Sequence, residues 1–252
     1  MPTLRELAVD AAAYTPLWPG VERIDDPRFC MLFLEHLTFV QRLRLDGDVA
    51  EVVDTVRSLA AGHGRTRTLW WIGDGAEPGD LVERLLGHGL VRFGDETLVA
   101  MALDRPLDAN GHGGVPVREV HSARDYLTAL AIEADALGIV HEDEDGYRRA
   151  AEAKWAAVAD SPELRHHLAV VDGEPVAMSR SAYGDAVFLM GGATLPSARR
   201  RGAYTALLAA RSREGGGRPL VAQASSESQP ILSRLGFRRV GEIHVLADEM
   251  PR

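Results

Sequence analysis

Between His166 and Leu195 three apolar runs follow one another, H-H-L-A-V-V-D, V-A-M-S-R-S-A-Y and A-V-F-L-M-G-G-A-T-L, separated only by Asp-Gly-Glu-Pro and Gly-Asp turns. Spacings that short suit tight antiparallel hairpins. The last run ends at Leu195-Pro196, where the pattern changes: a loop of small and basic residues leads to Ala203, Leu207, Leu208 and Ala210, an apolar stripe at helical spacing. Arg199, Arg200 and Arg201 stand where that helix begins. A helix N-terminus already carries partial positive charge, so basic residues belong at its other end.

An anion would resolve the conflict. In a strand–loop–helix passage, free backbone N–H groups converge on negative charge. A pyrophosphate fits: amides near Arg200 to Tyr204 donate to it, Gly202 lets the backbone approach, and the arginines neutralise the remainder. Read alone, the loop is equally compatible with a solvated basic turn.

The rest of the chain supplies limits. At 252 residues, 46% hydrophobic and 26% charged, it can bury a real core in one large domain or two ordinary ones. The net charge of -9 argues against a general nucleic-acid binder. The N-terminus lacks a basic segment followed by an apolar run, and no apolar stretch approaches the roughly 20 residues of a membrane span. A cytoplasmic protein without membrane or nucleic-acid partners is expected. Cys30 is the single cysteine, which leaves no disulfide framework and no cysteine cluster for a metal.

Turn formers crowd between Arg105 and Pro116, which suggests domains over 1–105 and 117–252 joined by a linker at 106–116. After the linker come a short strand at Val117 to His121 and a helix capped by Ser122 through Leu137, with Leu127, Leu130, Ala131 and Ala134 on one face. A second helix follows near Asp145 to Ala159. The arginine-led helix stops at Gly215-Gly216-Gly217. A strand P-L-V-A-Q-A-S, a short helix ending in L-G-F, and a strand V-G-E-I-H-V-L-A complete the order.

Residues 117–252 resemble the catalytic domain of the GNAT superfamily of acetyl-CoA-dependent N-acyltransferases. The likeness rests on A-T-L-P-S-A-R-R-R-G-A-Y-T-A-L-L, similar to the family's Arg/Gln-x-x-Gly-x-Gly/Ala loop with Arg199 and Gly202 matching, and on S-R-L-G-F-R-R-V-G at Ser233 to Gly241. The resemblance implies an α+β fold, a mixed and mostly antiparallel sheet flanked by helices. It implies acetyl-CoA as donor, a small-molecule amine as acceptor, and direct attack in a ternary complex without a metal. The cofactor contacts it implies are Ala193, Thr194, Leu195, Arg199, Arg200, Arg201, Gly202, Ala203, Tyr204, Thr205 and Ser225. Two positions depart from the pattern. Leu232 stands where the family often has a tyrosine that protonates the leaving thiolate, and Ser225 where an asparagine commonly holds the pantetheine arm; Ser225, Ser226 or Ser228 could equally cap a helix.

Candidates for proton transfer are His244, on the last strand, and Glu227, which also suits a helix's first turn. Tyr183 and Asp185 lie at a hairpin whose turn chemistry already explains Asp185. Glu142, Asp143, Glu144 and Asp145 form an acidic cluster that would favour a cationic amine, or simply serve as a solvated loop and first-turn acids. Leu232 and the lack of a strong base keep a second function open, a non-catalytic acyl-CoA-binding or regulatory protein.

The N-terminal half carries an echo. G-L-V-R-F-G-D-E-T-L-V-A, from Gly89, matches G-F-R-R-V-G-E-I-H-V-L-A, from Gly236, in small, apolar and acidic character, which points to tandem GNAT-like halves. Strands near Arg28 to Leu34, Leu37 to Leu45 and Thr66 to Ile72 fit, with a helix at Val49 to Ala61. Asp46 and Asp48 at that helix's start would repel a pyrophosphate, so one acetyl-CoA site is expected, in the C-terminal half. Trp70 and Trp71, consecutive on a strand, must face opposite ways. Cys30 reads as a small buried hydrophobe.

Overall fold

Thr3 starts the first helix with a capping box: its hydroxyl accepts from the Glu6 N–H at 3.2 Å, and Glu6 Oε2 accepts from the Thr3 N–H at 2.8 Å. The computed structural model describes residues 1–34, 37–45, 47–94, 97–107 and 114–250. In chain order it runs α1 (Leu4–Val9), α2 (Ala11–Tyr14), β1 (Glu22–Asp25), β2 (Cys30–Phe33), β3 (Thr38–Gln41), α3 (Val49–Gly62), β4 (Arg67–Gly73), α4 (Leu81–Gly87), β5 (Val91–Arg92) and β6 (Leu98–Leu103). Then follow β7 (Val117–Glu119), α5 (Ala123–Leu137), α6 (Glu144–Val158), β8 (Leu164–Val171), β9 (Glu174–Tyr183), β10 (Val187–Thr194), α7 (Ala203–Glu214), β11 (Leu220–Ala224), α8 (Gln229–Arg234) and β12 (Arg238–Glu249).

Two units emerge, Met1–Ala102 with Val221–Arg252, and Leu103–Leu220. This differs from the division at 106–116, which gave 117–252 to one domain. Val221–Arg252 joins the first unit because β12 pairs antiparallel with both β4 and β6. Residues 108–113 of the expected linker lie outside the described residues.

In the first unit the sheet runs β1-β2-β3-β4-β12-β6-β11, with β5 also on β12. Helix α3 lays Val49, Val52, Val53, Val56 and Ala60 on a core with Met31, Val40, Trp70 and Leu246. Trp70 is fully buried, with Nε1 donating to Thr68 Oγ1 at 2.9 Å. Trp71, on the other face, packs edge-on to Phe39. Cys30 is buried as expected, and burial pushes its thiol up to about 12.

β3 and β4 are parallel, and their register pairs are Phe39 with Leu69 and Val40 with Trp70. Beyond those pairs the N-terminal segment packs in. Asp10 accepts from the Arg42 N–H at 3.0 Å, the Ala12 N–H donates to Gln41 Oε1 at 3.0 Å, and Val9 lies so close to Gly73 that a Cβ there would come within 2.2 Å of it. Glycine at 73 is therefore a steric requirement of α1.

The sequence echo is visible in the backbone. Gly89 and Gly236 both take left-handed φ, 92° and 93°. Leu90 donates back to Leu85 at 3.2 Å and Phe237 to Leu232 at 3.1 Å, the same way of leaving a helix. Thr97 and His244, separated by 147 positions like the two glycines, face each other at 3.4 Å. Around them β6 and β12 pair, Leu98 with Ile243 and Val99 with Glu242. Asp95 and Glu96 of the echo lie outside the described residues.

In the second unit β10, β9, β8 and β7 form an antiparallel sheet. Asp172 and Gly173, at φ 55° and 87°, make the hairpin turn that the spacing required. Ser122 caps α5 through the Asp125 N–H at 3.2 Å. The buried residues of α5 are Tyr126, Ala129 and Ile132. The expected face is thus rotated: Leu127 and Leu130 only flank the core, and Ala131 is exposed. The opposite sheet face holds α7, where Ala203 and Leu207 pack on Ala169 and Ala177. No helix among the described residues is long and apolar enough to cross a membrane.

Candidate functional site

After β10 the chain turns through a short 3-10 segment, Pro196–Ala198, into the arginine loop. Arg199 is extended, Arg200 is left-handed at φ 65°, and Gly202 is left-handed at φ 86°. Gly202 is the N-cap of α7 and has no side chain to offer; the first bond of the helix runs from the Ala206 N–H to the Gly202 carbonyl at 2.9 Å. The amides of Ala203, Tyr204 and Thr205 thus precede the helical ladder, and no side chain caps them.

A Cβ on Gly202 would meet nothing closer than Val115 at 3.8 Å, so glycine is needed there for its backbone conformation and not for space. Arg199, Arg200 and Arg201 are exposed. Arg201 is tied to Asp172 at 2.6 Å, whereas Arg199 and Arg200 have no carboxylate partner among the described residues. An uncapped positive helix end beside two guanidinium groups that no described carboxylate pairs fits a multiply charged anion such as the diphosphate of an acyl-CoA. Ala203 is buried, and Tyr204 and Thr205 are half-buried.

The strand before the loop is bulged: register with β9 shifts between Leu189 and Gly191 and then runs regularly to Thr194. The Leu195 N–H donates to the Val176 carbonyl at 3.0 Å. By antiparallel alternation the Ala193 amide also faces β9, while those of Gly192 and Thr194 face the strand's other edge. Of the strand-end residues expected to meet the cofactor, Leu195 already gives its amide to β9, and Ala193 faces the same way. Gly192, like Thr194, keeps its amide on the edge away from β9, and the Gly-Gly doublet in M-G-G-A-T marks its position in the sequence. A Cβ at Gly192 would lie 3.2 Å from the Tyr204 ring, so the ring packs on that glycine. Burial raises the Tyr204 phenol above its usual range.

Beneath the bulge lies Arg211, only 1% exposed. It donates to the carbonyls of Leu207 at 3.2 Å and Gly191 at 3.4 Å and to Ser181 Oγ at 3.4 Å, and desolvation lowers its pKa. Nearby, Glu214 takes His167 Nε2 at 2.9 Å and the Tyr183 hydroxyl at 3.0 Å, which assigns Tyr183 to the α7 contact. Desolvation opposes its ionisation, yet those bonds leave the Glu214 carboxyl below its ordinary value. Burial, then the nearby Arg180 charge, depresses His166 to about 3, so it is neutral.

The remaining candidates do not share this unit or have local duties. Ser225, Glu227 and His244 belong to the first unit. The Ser225 carbonyl accepts from the Gln229 N–H at 2.9 Å, Ser228 occupies the N-cap of α8 without a side-chain cap bond, and Glu227 is exposed in the preceding turn. Leu232 is buried, 1% exposed. Glu142, Asp143, Glu144 and Asp145 are exposed at the start of α6, where Asp143 accepts from the Gly146 N–H at 2.8 Å. Asp46 lies outside the described residues; Asp48 caps α3 through the Ala50 N–H at 2.9 Å. No group of three or more metal-binding side chains is present among the described residues.

Comparison with solved structures finds this fold along nearly the whole chain. A GCN5-related N-acetyltransferase from Kribbella flavida is similar over 98% of this chain and 96% of its own, at 20% identity and a TM-score of 0.70. A functionally unknown conserved protein from Staphylococcus epidermidis matches over 93% and 96%, with 13% identity and a TM-score of 0.67. A tandem GNAT protein from the clavulanic acid biosynthesis pathway matches over 98% and 94%, with 15% identity and a TM-score of 0.57. No protein-family model and no curated protein matches the sequence. The chain has a tandem GNAT fold; identities this low carry the fold and nothing finer.

Proposed function

We propose that the chain is a cytoplasmic N-acyltransferase that moves an acetyl group from acetyl-CoA to the primary amine of a small molecule. The observation that carries this reading is the uncapped start of α7 behind left-handed Gly202, flanked by Arg199 and Arg200, which have no carboxylate partner among the described residues. Those groups hold the donor's diphosphate, and the outward amides of Gly192 and Thr194 orient its pantetheine arm. Acetyl-CoA supplies the activated acyl carbon. The amine nitrogen bonds to that carbon, the carbon–sulfur bond breaks, the nitrogen loses a proton and the sulfur gains one, giving an amide and free CoA. Backbone N–H donors stabilise the developing oxyanion without any side chain. The amine's proton can leave to water, so the scheme needs neither Glu227 nor His244.

Purified protein tested with acetyl-CoA across an amine panel should release thiol only when amine is present. One observation favours a second reading, non-catalytic acyl-CoA binding: Leu232 is apolar and buried where a thiolate-protonating tyrosine is common in the resembling family. CoA binding without amine-dependent thiol release would select it.

A further inference from the structure

The bulge in β10 leaves a bare stretch of strand with one charged pair beside it. A Cβ built on Gly191 would lie 3.5 Å from Arg180 Nη2, on β9, and 3.7 Å from Glu133 Oε1, on α5. The pair is joined by one hydrogen bond, Arg180 Nη2 to Glu133 Oε1, at 3.3 Å. That is long for an ion pair. Among the described residues, Nε and Nη1 of Arg180 and Oε2 of Glu133 have no hydrogen-bond partner. The side chains are 25% and 22% exposed, reachable from solvent yet partly shielded from it. His166, opposite Arg180 in the β8–β9 register, is neutral and adds no charge.

Such a pair has a definite preference. It is neutral overall, so an ammonium drawn to Glu133 is also repelled by Arg180. A ligand that carries both charges gains at both ends, and each partner has unused hydrogen-bonding capacity for it. We propose that Arg180 and Glu133 bind the acceptor as an amine bearing its own carboxylate, an amino acid or a compound built like one, with the carboxylate on Arg180 and the ammonium on Glu133, where it gives up one proton to water before the nitrogen attacks. This rests on the acyltransferase reading, in which the Gly192 amide orients the pantetheine arm that ends in the acyl carbon. An attacking nitrogen has to come within roughly 3–3.5 Å of that carbon, and Gly191 is its neighbour. The pair escapes a linear reading because its members are 47 positions apart.

The test is thiol-release kinetics on the full chain saturated with acetyl-CoA, comparing amino acids with the same amines lacking the carboxylate. The parent should favour the amino acids by about tenfold or more, the effect of one charge-assisted hydrogen bond. Arg180→Gln should erase the preference by raising KM for amino acids alone, and Glu133→Gln should raise KM for both sets. Arg180→Lys, which keeps the charge, should retain part of the preference. Calorimetry should give unchanged acetyl-CoA affinity in all three variants, which separates this site from the cofactor loop. Equal KM for both sets in the parent, or an undiminished preference in Arg180→Gln, overturns the inference and leaves the acyltransferase reading standing. No thiol release from the parent with any amine overturns both.

Discussion

Helices α3 and α7 each follow a strand in a GNAT-like half, and their first turns are built in opposite ways. At α3 the Asp48 carboxylate takes the Ala50 N–H, and Glu51 adds a second acid to the first turn. At α7 the cap is a glycine, no acid is present in the first turn, and arginines lead in. The strand ends differ similarly. In the first unit the Asp10 carboxylate takes the Arg42 amide beyond β3. In the second unit the amides of Gly192 and Thr194 face away from β9, and no carboxylate meets them among the described residues. The N-terminal half answers these donors with its own carboxylates; in the C-terminal half no carboxylate among the described residues does so. Two copies of one fold therefore differ in the local charge at corresponding helix starts.

Substitution at Gly202 should have the largest effect. A β-branched residue does not tolerate φ 86°, so Gly202→Val should lower CoA affinity by more than a hundredfold in calorimetry. Circular dichroism should show the fold retained. Next comes Arg199→Ala, which removes one charge-assisted bond and should weaken CoA by about one to two orders of magnitude. Arg201→Ala should do less, because its guanidinium is already engaged by Asp172.

The units should also respond differently to acid. His166 is held neutral in the fold at a pKa of about 3 but titrates near 6.5 when unfolded. Its contribution is complete above pH 6.5 and is lost as pH falls from there towards 3, by up to about 1.4 kcal/mol per pH unit. Asp10, in the first unit, has its carboxyl raised by burial, so acidification relieves a penalty there. Denaturant unfolding at pH 7.5 and 5 should show the second unit weakening more, and His166→Gln should reduce the difference.

Smaller still, Asp48→Ala should cost about 1 kcal/mol as a lost helix cap, without creating a second CoA site. The least effect is expected at the start of α6. Changing Glu142, Asp143, Glu144 and Asp145 to amides should raise KM several-fold for a cationic amine at low salt. It should leave acetyl-CoA affinity unchanged and matter little for an amino acid, whose net charge is zero. Unaltered KM for the cationic amine would reduce the cluster to a solvated helix start.

The second unit was legible from sequence because its signals are local. Asp-Gly turns, Ser122 as a cap, and an alternating run that gives way to a helical stripe each act within a few residues. Helix α1 escapes apolar periodicity although Thr3 and Glu6 spell a capping box, because the helix is short and depends on contacts with Gly73 and Arg42 far along the chain. The pairing of β12 with β4 and β6 was hidden for the same reason: strand partners are chosen by tertiary packing. At the site, the loop was readable as a motif. Which edge the amides of Gly192, Ala193 and Leu195 face is set by pairing with β9, which the sequence does not spell out. Arg180 and Glu133 meet only through the fold.

The central claim is that the chain has one CoA site and that α7 provides it. Calorimetric titration with CoA tests both parts in a single measurement of stoichiometry. One equivalent per chain is expected for the parent and none for Gly202→Val. Two equivalents, or binding by Gly202→Val at the parent's affinity, would contradict it.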